Sequence, residues 1–469
     1  HRDALTGTIW ETNRGCPFSC TFCDWGQATQ SRVNVHELER LYGELDWISD
    51  NEIFYVYAAD ANFGIKKRDL DIAKYMAGLK KRKGFPGYFM INWMKNAHKK
   101  TVDIAEALRD GGIAGQVTLS MQSFDELTLD AIKRANIRLD TFRSLKAEYN
   151  KRGIATYSEL LLGLPGETYG SFCNGVIQAM STYPKDHFNI YLCRILENAE
   201  MAEPEYVRKY ALETRKCEVA MARRTSSNYT VHEEEEIIVS TVDMEVPDWR
   251  RAFSFGYFLS VLYNLRLAHV LLNFLRYRVG CSVKDYVEFL LSNASRENSV
   301  LAQVVDNLIR FQNSILDNQM SVLSVDGFGD RYWEPHEASF LIANLNPDSF
   351  YDSLRTLTYN FLQEESELDV EDSVLEELFR FQRLLSPLNS NDQTQTAIFQ
   401  HDWLSYYHNM DLREDNALVK REITLAFHPP ITWRKGLAEF AISQLTACNS
   451  ESGPSCEVEL ISSRLTDRL

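Results

Sequence analysis

The 469-residue chain is short of the residues that interrupt regular structure. With 22 glycines and 12 prolines, collagen-like and linker-rich sequence is excluded and helices are favoured. Basic charge is scarce too. Lysine and arginine number 50 against 66 aspartates and glutamates, a formal net charge of −16. That deficit argues against a basic groove tracking nucleic acid and against docking on anionic lipid. No run is apolar enough to span a bilayer. The best candidate, 253–279, carries Arg266, His269, Arg276 and Arg278 and reads as a buried helix. There is no internal repeat and no secretory signal pattern. Nine cysteines, unevenly placed, make no disulfide framework and point to a reducing, cytoplasmic setting.

The apolar fraction of 45 % and the charged fraction of 25 % are those of globular material, and the length suggests about three domains. Up to about residue 205, short apolar runs alternate with amphipathic ones. Strands are predicted over 6–11, 53–58, 88–93, 116–121, 154–162 and 188–195. Helices are predicted over 37–47, 69–82, 101–109, 139–152 and 168–181, with Thr101 capping one and Ser123 opening another through a capping box. Six β–α units with nearly continuous apolar strands predict a parallel sheet with helices outside. The expected fold class is α/β, an incomplete (β/α)6 TIM-like barrel followed by a mainly helical C-terminal domain. The expected division is a barrel over 1–205, an irregular acidic linker over 206–247, a helical domain over 248–387 and an α/β extension over 388–469. Within these, Val231–Ile238 reads as a solvated acidic face, Leu388–Thr396 as a polar linker and Asn449–Ser455 as a flexible loop.

The segment richest in chemistry is Arg14–Gly26, RGCPFSCTFCDWG. Cys16, Cys20 and Cys23 follow directly on the first strand. Three thiolates on one loop can hold three irons of a [4Fe–4S] cluster and leave the fourth iron open to a small molecule, whereas an electron-transfer cluster normally has four protein ligands. Structural zinc is the alternative. It wants four ligands, usually in two separated pairs, and would need Asp24 or a distant histidine here. A cysteine nucleophile would need a base that the loop does not supply. Cys193, Cys217 and Cys281 read as small buried hydrophobes. Cys448 and Cys456 lack partners for a second cluster.

The CxxxCxxC spacing, its place before six β–α units, and the strings ETNRGCPFSCTFCDWG, AADANFG and LLLGLPGET resemble the radical S-adenosylmethionine (SAM) superfamily over about residues 5–205. Within it they look most like the catalytic module of cobalamin-linked members. The resemblance implies that SAM chelates the open iron. It is then cleaved by the reduced cluster to methionine and a 5′-deoxyadenosyl radical, with an electron donor such as flavodoxin or ferredoxin. It implies Phe22 beside the cluster, and Asp60 and Asn62 at the methionyl amine, where the family's commonest form is Gly-Gly-Glu. It further implies Ser120, Gln122 and Ser123 near the SAM carboxylate and ribose, and Glu159 and Gly163 at the strand end near adenine. Asp60–Gly64 also suits a simple turn. Lys133 and Arg134 could face a carboxylate but equally suit a solvated helix face. Glu167 suits a structural role at loop amides or a helix N-terminus.

Cobalamin-linked relatives usually carry a DxHxxG loop in a preceding domain. No such loop occurs here, and only fifteen residues precede Cys16. The start at His1, without an initiator methionine, reads as a trimmed chain. Cobalamin is therefore a candidate cofactor whose domain is not in this chain, and C-methylation the reaction implied. A cobalamin-independent radical rearrangement, oxidation or sulfur insertion shares every motif. An RNA-modifying methylthiotransferase is disfavoured by the charge. A non-enzymatic zinc or scaffold protein is the reading of another class. The substrate is not encoded in any motif.

Overall fold

The computed structural model describes residues 7–26, 31–95, 99–180, 186–223, 233–294, 299–364, 370–386, 393–410, 417–428 and 457–464. Cys448, Cys456 and the 449–455 loop lie outside them, as does most of the polar stretch 388–396. Two compact units emerge. The first comprises 1–175, 185–213 and 238–245; the second comprises 176–184, 214–237 and 246–469. The chain passes between units more than once, so single cuts at 205, 247 and 387 do not reproduce the division.

In the first unit, strand β1 (Gly7–Trp10) lies parallel to β2 (Tyr55–Ala58), which lies parallel to β3 (Tyr88–Met90). Strands β4 (Val117–Gln122), β5 (Thr156–Leu162) and β6 (His187–Leu192) form a second parallel trio. An isolated parallel bridge, Tyr88 to Ala114, links β3 to the approach to β4. Helices α1 (Leu38–Asp50), α2 (Asp69–Lys83), α3 (Lys99–Asp110), α4 (Glu126–Ala131), α5 (Leu139–Lys151) and α6 (Tyr169–Ala179) connect or follow the strands. This is an α/β arrangement of parallel strands and helical crossovers.

The strands are not buried on both faces, as continuous apolarity predicts. In β4, Val117, Leu119 and Met121 are buried, while Ser120 and Gln122 are only partly so. In β5, Ser158, Leu160 and Leu162 are buried and Tyr157, Glu159 and Leu161 are not fully so. One face packs in a core with Leu41, Leu45, Ile72, Met76, Val102 and Leu108 from the helices, each side chain contributing about 1.5–3 kcal/mol by burial. The other face carries hydroxyl, amide and carboxyl groups. Gly84, at φ 85°, stops α2 in the left-handed conformation that favours glycine.

Two predicted caps are displaced. Thr101 lies inside α3, fully buried, and its hydroxyl accepts from Tyr149 at 2.8 Å. Asp125, not Ser123, caps α4, accepting from the Thr128 amide at 2.9 Å. Strand β3 ends at Met90, three residues earlier than predicted.

The second unit is built largely of helices, among them the segments Val246–Tyr263, Val300–Leu316, Pro335–Leu345, Pro347–Glu364 and Asp372–Leu385. Trp249, Phe253, Phe258 and Trp333 are fully buried there. An antiparallel sheet joins Gln395–His401, Lys420–His428 and Glu457–Arg464. The stretch read as an irregular acidic linker holds strands Glu213–Glu218 and Glu234–Ser240. Ile237, Ile238 and Val239 are fully buried; the glutamates before them masked an apolar half-strand. Among the described residues no helix is long and apolar enough to cross a membrane.

Candidate functional site

Past Trp10 the chain is pinned by Asp60, at the end of β2. The buried Asp60 carboxylate accepts from the Thr12 amide at 2.6 Å, the Asn13 amide at 3.1 Å, the Asn13 side chain at 2.7 Å and the Thr12 hydroxyl. Burial pushes its carboxyl up, against the downward pull of those donors. Asp60 is thus engaged in orienting the approach to the cysteines. All the donors found on the Asp60 carboxylate come from within the chain.

Gly15 turns the chain at φ 104°, and the cysteine loop follows. Its amides are tied down: Cys23 donates to the Cys20 carbonyl and Thr21 to the Ile132 carbonyl, both at 3.1 Å. At Gly26 a Cβ would lie 2.1 Å from the Phe18 carbonyl oxygen, so a side chain there would open the loop. Cys16 and Cys20 are buried and Cys23 partly so. Burial pushes the Cys23 thiol up.

Three donors surround these sulfurs. Asn62 Nδ2 donates to Cys16 Sγ at 3.1 Å. Lys95 Nζ donates to Cys20 Sγ at 3.2 Å. Arg134, only 5 % exposed, is anchored by Nε to Asn136 at 2.8 Å and by Nη2 to the Ser120 carbonyl, and burial pulls its pKa down. Two buried atoms here have no partner, Asn62 Oδ1 and Arg134 Nη1. One is an acceptor and the other a donor.

Beside the loop opens a cavity of about 270 Å³ lined by Cys16, Phe22, Cys23, Tyr57, Trp93, Lys95, Ser120, Gln122, Arg134, Tyr157 and Glu159, among others. It sits on the polar face of β4 and β5. Ser120 and Glu159 are register partners across β4 and β5, and the serine hydroxyl donates to the Glu159 carboxylate. Burial raises the Glu159 pKa. Gln122 follows a break in that register and adopts φ 64°, a strained, bulge-like conformation of the kind that re-aims a side chain at a site.

Of the sequence-predicted residues, Cys16, Cys23, Phe22, Ser120, Gln122 and Glu159 therefore meet around one cavity, with Cys20 joined to it through Lys95. Asn62 is bonded to Cys16. Ser123 and Gly163 do not line the cavity. Ser123, 1 % exposed, donates to Glu167 at 2.7 Å, so Glu167 bonds a serine rather than loop amides. Gly163, at φ 103°, lets the Ile238 carbonyl pass; a Cβ would meet that oxygen at 3.0 Å. The glycine there accommodates a chain crossing. Arg134 is not on a solvated helix face, because α4 ends at Ala131 and turns it inward. Its neighbour Lys133 is the exposed one, paired with Glu200. Cys193 is buried against Met201 at 3.9 Å, its thiol pushed up to about 12 by burial.

Lys95, Tyr57, Trp93 and Tyr157 were missed. Period-two alternation along β2 and β5 would have placed the two tyrosines on the cavity face. Nothing in the local pattern marks Lys95.

The donor set suits a cluster better than zinc. Among the described residues no group of three or more His, Cys, Asp or Glu side chains is arranged to hold a single metal ion. A cluster asks something else, since each thiolate binds a separate iron, and N–H donors on the sulfurs are its usual surroundings.

A sequence profile of the radical SAM superfamily matches residues 10–174. The chain is 32 % identical over 415 residues to the cobalamin-dependent radical SAM methyltransferase TokK of Streptomyces tokunonensis, covering 85 % of this chain and 60 % of that protein. It is 30 % identical over 431 residues to the 2-(S-pantetheinyl)-carbapenam-3-carboxylate methyltransferase of Streptantibioticus cattleyicolor, covering 88 % and 62 %. The chain thus spans about three fifths of the length of these relatives. Among solved structures, the radical SAM methyltransferase TsrM of Kitasatospora setae aligns with a TM-score of 0.40 at 15 % identity, over 54 % of this chain and 52 % of that one. With the family match over residues 10–174 and the two methyltransferase relatives, the chain carries a radical SAM domain and resembles the catalytic module of cobalamin-dependent radical SAM methyltransferases.

Proposed function

We propose that the chain is the radical-generating module of a C-methylating enzyme, built on an incomplete (β/α)6 barrel with a mainly helical domain after it. In this reading Cys16, Cys20 and Cys23 hold a [4Fe–4S] cluster and SAM occupies the adjoining cavity. The observation that carries it is the pair of unpartnered buried atoms at the cysteines, Asn62 Oδ1 and Arg134 Nη1. An acceptor and a cationic donor are what an ammonium and a carboxylate require, and a methionyl group carries both. Leaving such atoms unpaired in the interior costs about 1–3 kcal/mol each, so a ligand that satisfies them is favoured.

A bound, reduced cluster supplies the electron that splits SAM into methionine and a 5′-deoxyadenosyl radical. The rest falls to the chain. Phe22, Trp93, Tyr57 and Tyr157 wall the cavity and exclude water, which protects a carbon radical from quenching. Glu159, held by Ser120, offers an acceptor for a ribose hydroxyl. Gln122 is aimed into the cavity by its backbone. Asn62 orients Cys16 and Asp60 orients the loop. The electron donor is a small redox protein such as flavodoxin or ferredoxin, in a reducing cytoplasm. Methyl transfer rests on the likeness to the two methyltransferases, with cobalamin as the methyl carrier.

The test is anaerobic reconstitution with iron and sulfide, then dithionite and SAM. The expected product is 5′-deoxyadenosine, abolished in Cys20→Ala. Bound zinc and no iron in oxygen-protected protein would overturn the reading. Methylcobalamin with candidate carbapenam substrates then asks for methyl transfer.

A further inference from the structure

The three cysteines receive unequal hydrogen bonds. Cys16 takes a neutral amide from Asn62 at 3.1 Å. Cys20 takes a cation, the Lys95 ammonium, at 3.2 Å. The same ammonium lies 5.3 Å from the centre of the Phe18 ring, within cation–π range, so it is held between the ring and the sulfur on the cysteine loop itself. Among the described residues no carboxylate pairs with Lys95. Its charge is directed at the sulfurs and reaches Cys23 as well.

Reduction adds one electron to a cluster, and part of that charge resides on the thiolate sulfurs. A donor on a sulfur stabilises the more negative state, and hydrogen bonds, net charge and exposure are what set cluster potentials. A full positive charge does more than an amide. We infer that Lys95 sets the cluster's reduction potential: its ammonium, donating to Cys20 Sγ, raises the potential and so eases the one-electron reduction that must precede SAM cleavage. The proton stays on Lys95 throughout, and the electron comes from the external reductant. The inference rests on the reading that the three cysteines hold a cluster.

The experiment uses the whole chain, reconstituted anaerobically without SAM and titrated with dithionite and mediators while the reduced cluster is followed by electron paramagnetic resonance. Lys95→Met is expected to keep the parent's iron content and to lower the midpoint by about 59 mV, a tenfold loss of reduced cluster at a fixed potential. Lys95→Arg, which keeps a charged donor, is expected to recover most of the shift. Should Lys95→Met fail to retain iron, Lys95→Gln, with a neutral donor, decides the point and is expected to lie below the parent. A midpoint unchanged in the iron-retaining variant overturns the inference. That includes the case in which only SAM affinity falls, which would assign Lys95 to the nucleotide. A parent that assembles no cluster would instead sink the functional reading itself.

Discussion

Asn62 donates its side-chain amide to the sulfur of Cys16 at 3.1 Å while its own carbonyl oxygen stays buried and unpartnered. One side chain thus touches the cysteine loop with one end and leaves the other for a ligand. Asn62→Ala is expected to weaken SAM binding about tenfold, or about 1.4 kcal/mol, at the upper end of the range for an ordinary hydrogen bond. Isothermal titration on the reconstituted protein measures it. Asn62→Asp should do worse, because a carboxylate at that position repels the Cys16 thiolate, and the iron content per chain should fall. SAM affinity unaltered in Asn62→Ala would remove this residue from the binding site.

Asp60 yields a prediction of the opposite kind. Its four donors all come from Thr12 and Asn13, so its substitution is a folding defect before it is a binding defect. Asp60→Asn puts an amide group where donors already point and should cost about 1–3 kcal/mol, read as a lower denaturation midpoint of the apo protein in urea. If Asp60 held the SAM amine directly, apo stability would hardly change while affinity collapsed.

What could be read from the sequence divides along physical lines. The three cysteines and the strand–helix alternation are legible because ligand spacing and apolar periodicity are local. The roles of Asp60 and Ser123 are not. Asp60 bonds residues 47 and 48 positions away, and Ser123 bonds Glu167, 44 positions away. A buried polar side chain in a turn looks the same in sequence whether its partner is a ligand or a distant amide. Arg134 misleads for a related reason: reading it as helix-face charge assumes that α4 continues, and α4 stops at Ala131. Lys95 sits in a non-repeating stretch where charge gives no hint of direction.

Glu167 should make stability pH-dependent. Its carboxyl is fully buried, bonded by Ser123 at one oxygen and unpartnered at the other, and burial pushes its pKa up to about 8. In the unfolded chain a glutamate titrates near its ordinary value of about 4.3. The folded state therefore holds the proton more tightly, and stability is highest below the unfolded value and falls as pH rises through 8. The slope between is up to about 1.4 kcal/mol per pH unit. Glu167→Gln, a stand-in for the protonated form, should flatten this slope in urea melts at pH 5, 6, 7 and 8. Parallel profiles for parent and variant would show that Glu167 is ionised in the fold.

Gln122 separates strain kept for a site from strain that is merely tolerated. Its φ of 64° is costly for a non-glycine residue, on the order of 1–3 kcal/mol. Glycine at 122 would relieve that cost but would also give the unfolded chain more freedom, worth about 0.4–1 kcal/mol against folding. For Gln122→Gly the two terms oppose, and strain relief is the larger, so apo stability should rise by up to about 2 kcal/mol. Gln122→Ala keeps the backbone strain and loses only the side chain. Because that side chain lines the cavity, both variants should raise the KM for SAM severalfold in the 5′-deoxyadenosine assay. A structural role alone predicts the same gain in stability for Gln122→Gly but an unchanged KM in both variants. A raised KM shared by the two variants, whatever their difference in stability, would place the side chain among the groups that hold the nucleotide.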